Sequence, residues 1–269
     1  MALSNSDIRK QAYSIGKKHG KTLILVMLIR ILPSTMFLLI NAVFMQDKRL
    51  LSAVITFTLN ILTFPVVMIG SSYTLLETWR GGKPTLSMMF RFYNRSDISK
   101  SILIGFVYFA FMRLFSVPGD ISNLFPGDSF GKSALNLIGF GFSMVSILVT
   151  LRLTALPYLY CIGVSQNPFE LIGESFRRMK GEVGSFIGLL ITVSWWRILV
   201  SFAVGIIPGF VAMSAGLLFG SYRNIVVITM LVVGLLAFTV LSPYPYLASA
   251  GFINNLIPSE KEQRNIKKR

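Results

Sequence analysis

The chain has 269 residues, of which 53% are hydrophobic and only 14% charged; its net charge is +15 and its mean hydropathy +0.66. A soluble domain carries about 25% charged residues, so too few remain here to solvate a globular surface, and lipid is the expected solvent. No recognition motif accompanies the basic excess, so nucleic acid is not an expected partner.

At about 20 residues per span, the apolar runs predict six helices: Thr22–Met45, Leu50–Leu76, Ser101–Pro118, Ala134–Val164, Ser185–Met213 and Ile225–Ile257. Each run is far longer than a barrel strand of about 10 residues, so helix is the expected spanning form. The first run has spanning length and no small-residue cleavage site after it, so it is expected to be a retained helix. After the fifth, residues 214–219 are still apolar, and Pro208-Gly209 is expected to break the run into a re-entrant or interfacial part. The fold class is all-α: one polytopic transmembrane domain over 1–269.

Of the 26 Lys and Arg, eighteen fall in segments 1–21, 77–100, 165–184 and 258–269. The alternate connections hold only Lys48, Arg49, Lys132 and Arg223. This asymmetry places both termini and the two long basic loops in the cytoplasm.

Three units of similar pattern succeed one another, at about 1–76, 77–164 and 165–257, followed by a basic tail over 258–269. Odd spans carry Arg30 before Pro33, Arg113 before Pro118, and Arg197 before Pro208; even spans carry Pro65 with Gly70, Pro157 with Gly163, and Pro245 with Gly251. An amphipathic segment precedes each pair. Ile8, Ala12 and Ile15 oppose Arg9, Lys10, Lys17 and Lys18; Leu86, Met89, Phe90 and Tyr93 share a face; so do Phe169, Ile172, Phe176 and Met179. The third has Asn167 as N-cap, Pro168 at N1, Glu170 at N3 and Gly181 as its end. Such segments are expected in the headgroup plane, apolar faces toward lipid. The architecture is therefore three pseudo-repeated hairpins, each preceded by a cytoplasmic amphipathic helix.

The run Glu174-Ser175-Phe176-Arg177-Arg178-Met179-Lys180-Gly181, then Phe186 and Ser194-Trp195-Trp196, resembles a bacterial integral-membrane family known as a domain of unknown function, the nine-seven-five family. A Pro-Tyr pair in the last helix, here Pro243-Tyr244 or Pro245-Tyr246, fits it too, as does the opening from Ile8-Arg9 through Gly20. The resemblance covers nearly the whole chain. The hairpin around Leu59-Asn60 and Phe64-Pro65-Val66-Val67 with Gly70 is similar to the YesL-like membrane family. The resemblance implies a bacterial, six-span membrane protein and brings no activity with it.

No nucleophile-and-base, zinc or phosphate-loop pattern is present, so neither an enzyme nor a bound metal or cofactor is expected. His19 reads as a solvated residue rather than a ligand, since one histidine and one cysteine do not make a metal site. The informative residues are the intramembrane arginines. All eleven acids lie outside the predicted spans, and an arginine near mid-bilayer costs about 2.5–3.5 kcal/mol on insertion scales. At ~1.5 Å per residue, Arg30 sits roughly 12 Å, and Arg152 and Arg197 roughly 17–18 Å, from the inner ends of their spans. Arg113 is near an outer end and can snorkel. Arg30, Arg152 and Arg197, with Asn60 nearby, are the candidate anion-binding set, and Pro33, Pro65, Pro157, Pro208 and Pro245 the candidate kinks.

One reading is that the arginines donate to carbonyls freed at the kinks. The other is that they bind an anionic amphiphile, a phospholipid or isoprenoid phosphate, whose oxygens suit the guanidinium fork. The expected function is binding or translocation of such a molecule, with anionic lipids as partners. The alternative is a non-catalytic interaction protein with a membrane protein partner: an immunity protein against a membrane-acting peptide, or an accessory subunit of an exporter.

Overall fold

The computed structural model describes residues 3–44, 49–93, 97–114, 130–195 and 243–257. Every regular element among them is helical. Arg197, Pro208 and residues 214–219 lie outside this set, as does the side chain of Arg113.

Helix α1 (Asn5–Phe44) joins the N-terminal amphipathic segment and the first apolar run into one element. Its backbone departs from helical geometry at His19 (φ −117°, ψ 17°) and runs on through Pro33. A proline inside a helix forfeits one hydrogen bond, a loss that neighbouring groups re-satisfy in apolar surroundings. Helix α2 (Arg49–Phe64) passes directly into a π-helical turn, Pro65–Gly70, and then into α3 (Ser71–Trp79). Pro65 opens that turn, and its missing N–H and bulky ring account for the wider winding there.

A 3-10 helix follows at Leu86–Tyr93, then α4 (Ile98–Leu114) and α5 (Phe130–Leu153). After a two-residue interruption at Thr154 and Ala155, where Ala155 keeps helical geometry (φ −74°, ψ −23°), α6 (Leu156–Cys161) continues the stretch, with Pro157 in its first turn. The amphipathic helix α7 (Pro168–Arg178) precedes α8 (Val183–Trp195), and α9 (Pro243–Leu256) carries Pro245 close to its start. Among the described residues, two continuous stretches are long and apolar enough to cross a membrane: Thr58–Trp79, 22 residues, and Ile138–Cys161, 24 residues.

The chain packs as two compact units. One draws on Met1–Ile31, Leu75–Pro84 and Ser185–Arg269, the other on Leu32–Thr74 and Thr85–Gly184.

In the first unit, Ile8, Ala12, Leu23, Val26 and Met27 form the buried stripe of α1. Glycines set its closest approaches. A Cβ on Gly16 would stand 2.5 Å from the Tyr244 ring, and in α9 one on Gly251 would run into the Trp79 ring. Phe186 packs on Phe252, centroids 5.1 Å apart, and the Asn5 side-chain amide donates to the Ser185 carbonyl at 3.0 Å. The first amphipathic segment therefore has the polarity its sequence predicts, with Arg9, Lys10, Lys17 and Lys18 exposed. Its apolar face, however, is buried in protein instead of facing lipid, because Gly16 lets Tyr244 sit directly on it.

In the second unit, the 3-10 helix lies along the π-helical turn. A Cβ on Gly70 would run into the Met89 backbone carbonyl, so this position admits only glycine. Gly105 of α4 is covered by Phe64, whose ring also packs on Tyr108 and Phe109. Only Met89 of the second amphipathic segment is buried; Leu86, Phe90 and Tyr93 are exposed. In α7 the buried residues are Pro168, Leu171 and Ser175, followed by Met179. The buried face is thus rotated from the predicted one: Phe169 points outward, while Ile172 and Phe176 are half-buried.

Candidate functional site

The end of α5 is held by α7. Buried Ser175 donates its hydroxyl to the Arg152 carbonyl at 2.5 Å, immediately before the junction with α6 at Thr154 and Ala155. α7 is itself well fixed at both ends. Asn167 Oδ1 accepts the Phe169 N–H at 3.0 Å, as expected of an N-cap. Glu170 reaches the cap indirectly: Ser165 Oγ donates to Glu170 Oε2 at 2.6 Å and accepts the Asn167 N–H at 3.0 Å. A serine thus stands between the two members of the expected capping box. Gly181, at φ +84°, terminates the segment in the left-handed region.

Through this joint Arg152 comes to rest beside Phe176, its guanidinium carbon 5.5 Å from the ring centroid. Arg152 is half-buried, and among the described residues no carboxylate pairs with it. The nearby acid is engaged elsewhere. Glu174 takes Arg177 at 2.6 Å and Arg178 at 3.1 Å. Partial burial pushes the Glu174 carboxyl up, but the hydrogen bonds and charge of these two arginines outweigh it and hold it below the ordinary carboxylate range.

Arg30 has a parallel arrangement in its own unit. Its guanidinium carbon lies 4.3 Å above the Tyr246 ring centroid. The neighbouring Tyr244 stacks on Tyr13, 5.7 Å between centroids and 18° between planes. Both tyrosines of Pro243-Tyr244-Pro245-Tyr246 are therefore used against α1, one by an aromatic ring and one by a cation.

Asn60 is half-buried in α2, and its carbonyl receives a weak 3.4 Å contact from the Thr63 hydroxyl, which bonds mainly to Leu59 at 2.8 Å. Arg152 and Asn60 belong to the second unit and Arg30 to the first; no described interaction joins Asn60 to Arg152. Of the kink positions, Pro65 opens the π-helical turn and Pro157 follows the α5–α6 junction, whereas the carbonyl of Pro245 accepts the Ser249 hydroxyl at 2.8 Å inside α9.

The aromatic partners Phe176 and Tyr246 are what a search for acids overlooks. Each occurs in a motif visible in the sequence, yet nothing in spacing alone pairs it with its arginine. A cation over an aromatic face gains about 0.5–2 kcal/mol, against about 2.5–3.5 kcal/mol for placing an arginine near the bilayer centre. An aromatic face can therefore offset only part of such a cost.

No family model, curated protein or solved structure matches this chain.

Proposed function

We propose that the chain is a bacterial integral membrane protein that binds or translocates an anionic amphiphile, a phospholipid or an isoprenoid phosphate. In this reading it crosses the cytoplasmic membrane six times, in three related hairpins, with both ends in the cytoplasm. The family resemblance of the Glu174–Gly181 region fits the same reading.

One observation carries the functional part. Arg152 lies within the apolar stretch Ile138–Cys161, half-buried on the face of Phe176, with no carboxylate paired to it among the described residues. A planar fork braced by a ring and left unpaired by acid suits a phosphate, whose oxygens accept two parallel N–H donors. The anion also supplies the charge compensation that the ring supplies only in part.

The test is Arg152→Gln in purified protein, with bound phospholipid counted by mass spectrometry and folding followed by circular dichroism. The expected result is a folded variant that loses anionic lipid relative to zwitterionic lipid. Unchanged lipid content in a folded variant overturns the assignment.

A further inference from the structure

In the second unit, three contacts define one level across the helices. Cys161 Sγ donates to the Ile69 carbonyl at 3.4 Å, Ser101 Oγ donates to Tyr160 Oη at 3.3 Å, and Phe92 packs on Tyr160 with centroids 5.6 Å apart. This is the level at which the apolar stretch Ile138–Cys161 ends. Immediately past it the residues become polar: Lys100 Nζ donates to Gln166 Oε1 at 2.5 Å. On the 3-10 helix and at the start of α7, the segments next to these contacts, large apolar side chains remain uncovered. Phe169 is 71% exposed, Phe90 51% and Tyr93 45%.

Two cations accompany these rings. Arg91 donates to the Tyr73 hydroxyl and lies 4.8 Å from that ring's centroid, and Lys100 is tied to Gln166. Both partners are neutral, and among the described residues neither cation has a carboxylate partner. That sets them apart from Arg177 and Arg178, whose charge Glu174 answers.

We propose that this level is a headgroup-contacting belt, in which Phe90, Tyr93 and Phe169 enter the acyl boundary and Arg91 and Lys100 bind anionic phospholipid headgroups. The proposal rests on the membrane reading above. Aromatic rings that end an apolar zone, with uncompensated cations beside them, match the chemistry of that interface. A soluble protein partner would have to cover rings spread over two separate segments, whereas a bilayer covers them at once.

The experiment places a spin label at Phe169→Cys or Phe90→Cys in a Cys161→Ser background, in nanodiscs containing phosphatidylglycerol. Collision rates with oxygen and with a water-soluble nickel chelate report depth. Leu148→Cys, from the exposed apolar face of α5, is the lipid standard, and Lys10→Cys, on the exposed basic face of α1, the aqueous one. Both belt labels are expected between the standards. Nickel accessibility equal to that at Lys10→Cys overturns the belt. If Leu148→Cys is itself as water-accessible as Lys10→Cys, the membrane reading fails, and the belt with it. In a second arm, Arg91→Gln with Lys100→Gln is expected to reduce the preference for phosphatidylglycerol over phosphatidylcholine about fivefold per cation. An unchanged preference in a folded double variant overturns the headgroup role of the cations.

Discussion

Ser175 ties the amphipathic helix to the apolar one by donating its hydroxyl to the backbone carbonyl of Arg152, 2.5 Å away. The carbonyl lies where α5 passes into α6, so α7 is fastened to the junction of the two. Ser175→Ala removes a buried donor and leaves that carbonyl short of a partner, which costs about 1–3 kcal/mol. Ser72 is the control: its hydroxyl is buried with no partner among the described residues, so Ser72→Ala is expected to be neutral or stabilising. Thermal unfolding of both variants in the same detergent checks the difference.

Gly70 faces the Met89 backbone so closely that an added methyl has no room. Gly70→Ala must push the 3-10 helix off the π-helical turn, an overpacking cost of about 1–3 kcal/mol or more. Gly141, in exposed α5, has nothing within 4 Å of an added Cβ. Gly141→Ala is expected to stabilise by about 0.5–1 kcal/mol through helix propensity alone. A lower melting temperature for the first and a higher one for the second is the expected pair of outcomes.

These two glycines show what the sequence makes legible. The alternation of apolar runs and basic connections, together with Asn167, Pro168 and Gly181, predicts helices and the ends of α7 because those signals are local. Pro65 is likewise legible as a distortion, since its ring and missing N–H act on its own helix. The difference between Gly70 and Gly141 is not legible, because it depends on which segment comes alongside. For the same reason the sequence points the apolar face of the first amphipathic segment toward lipid, whereas Gly16 lets Tyr244 cover it, and in the third it does not show that Leu171 and Ser175 are buried while Phe169 stays exposed. At the candidate site, the unpaired state of Arg152 follows from the distribution of acids, but its seat on Phe176 depends on the rotation of α7, which Leu171 and Ser175 decide.

Arg30 and Tyr246 form the closest cation–ring contact among the described residues, at 4.3 Å. A double-mutant cycle with Arg30→Gln and Tyr246→Leu isolates their coupling from the packing each loses separately. The expected coupling is about 0.5–2 kcal/mol, larger in the nanodisc than in a water-rich micelle because desolvation strengthens the contact. Chemical unfolding of the four proteins in both environments measures it, and additive losses would mean the ring is only a packing surface.

Glu174 gives a pH dependence of known sign. Its carboxyl titrates lower in the folded protein than in the unfolded chain, because the bonds and charge of Arg177 and Arg178 prevail over the penalty of partial burial. Folding therefore favours the ionised form. The stabilisation is fully present above the ordinary glutamate value and is lost as pH falls through the lower, folded value. Arg177 is 72% exposed and Arg178 14%, so solvent screens the first pair, and an exposed pair of this kind is worth about 0–1 kcal/mol. Stability is expected to decline as pH drops below the usual carboxylate range. Glu174→Gln is expected to flatten that part of the profile while lowering stability at neutral pH. Removing Arg178, the less exposed partner, by Arg178→Gln should flatten it more than Arg177→Gln. Melting temperatures of the three variants across an acid titration read the order directly, and a reversed order would assign the depressed carboxyl to the exposed pair.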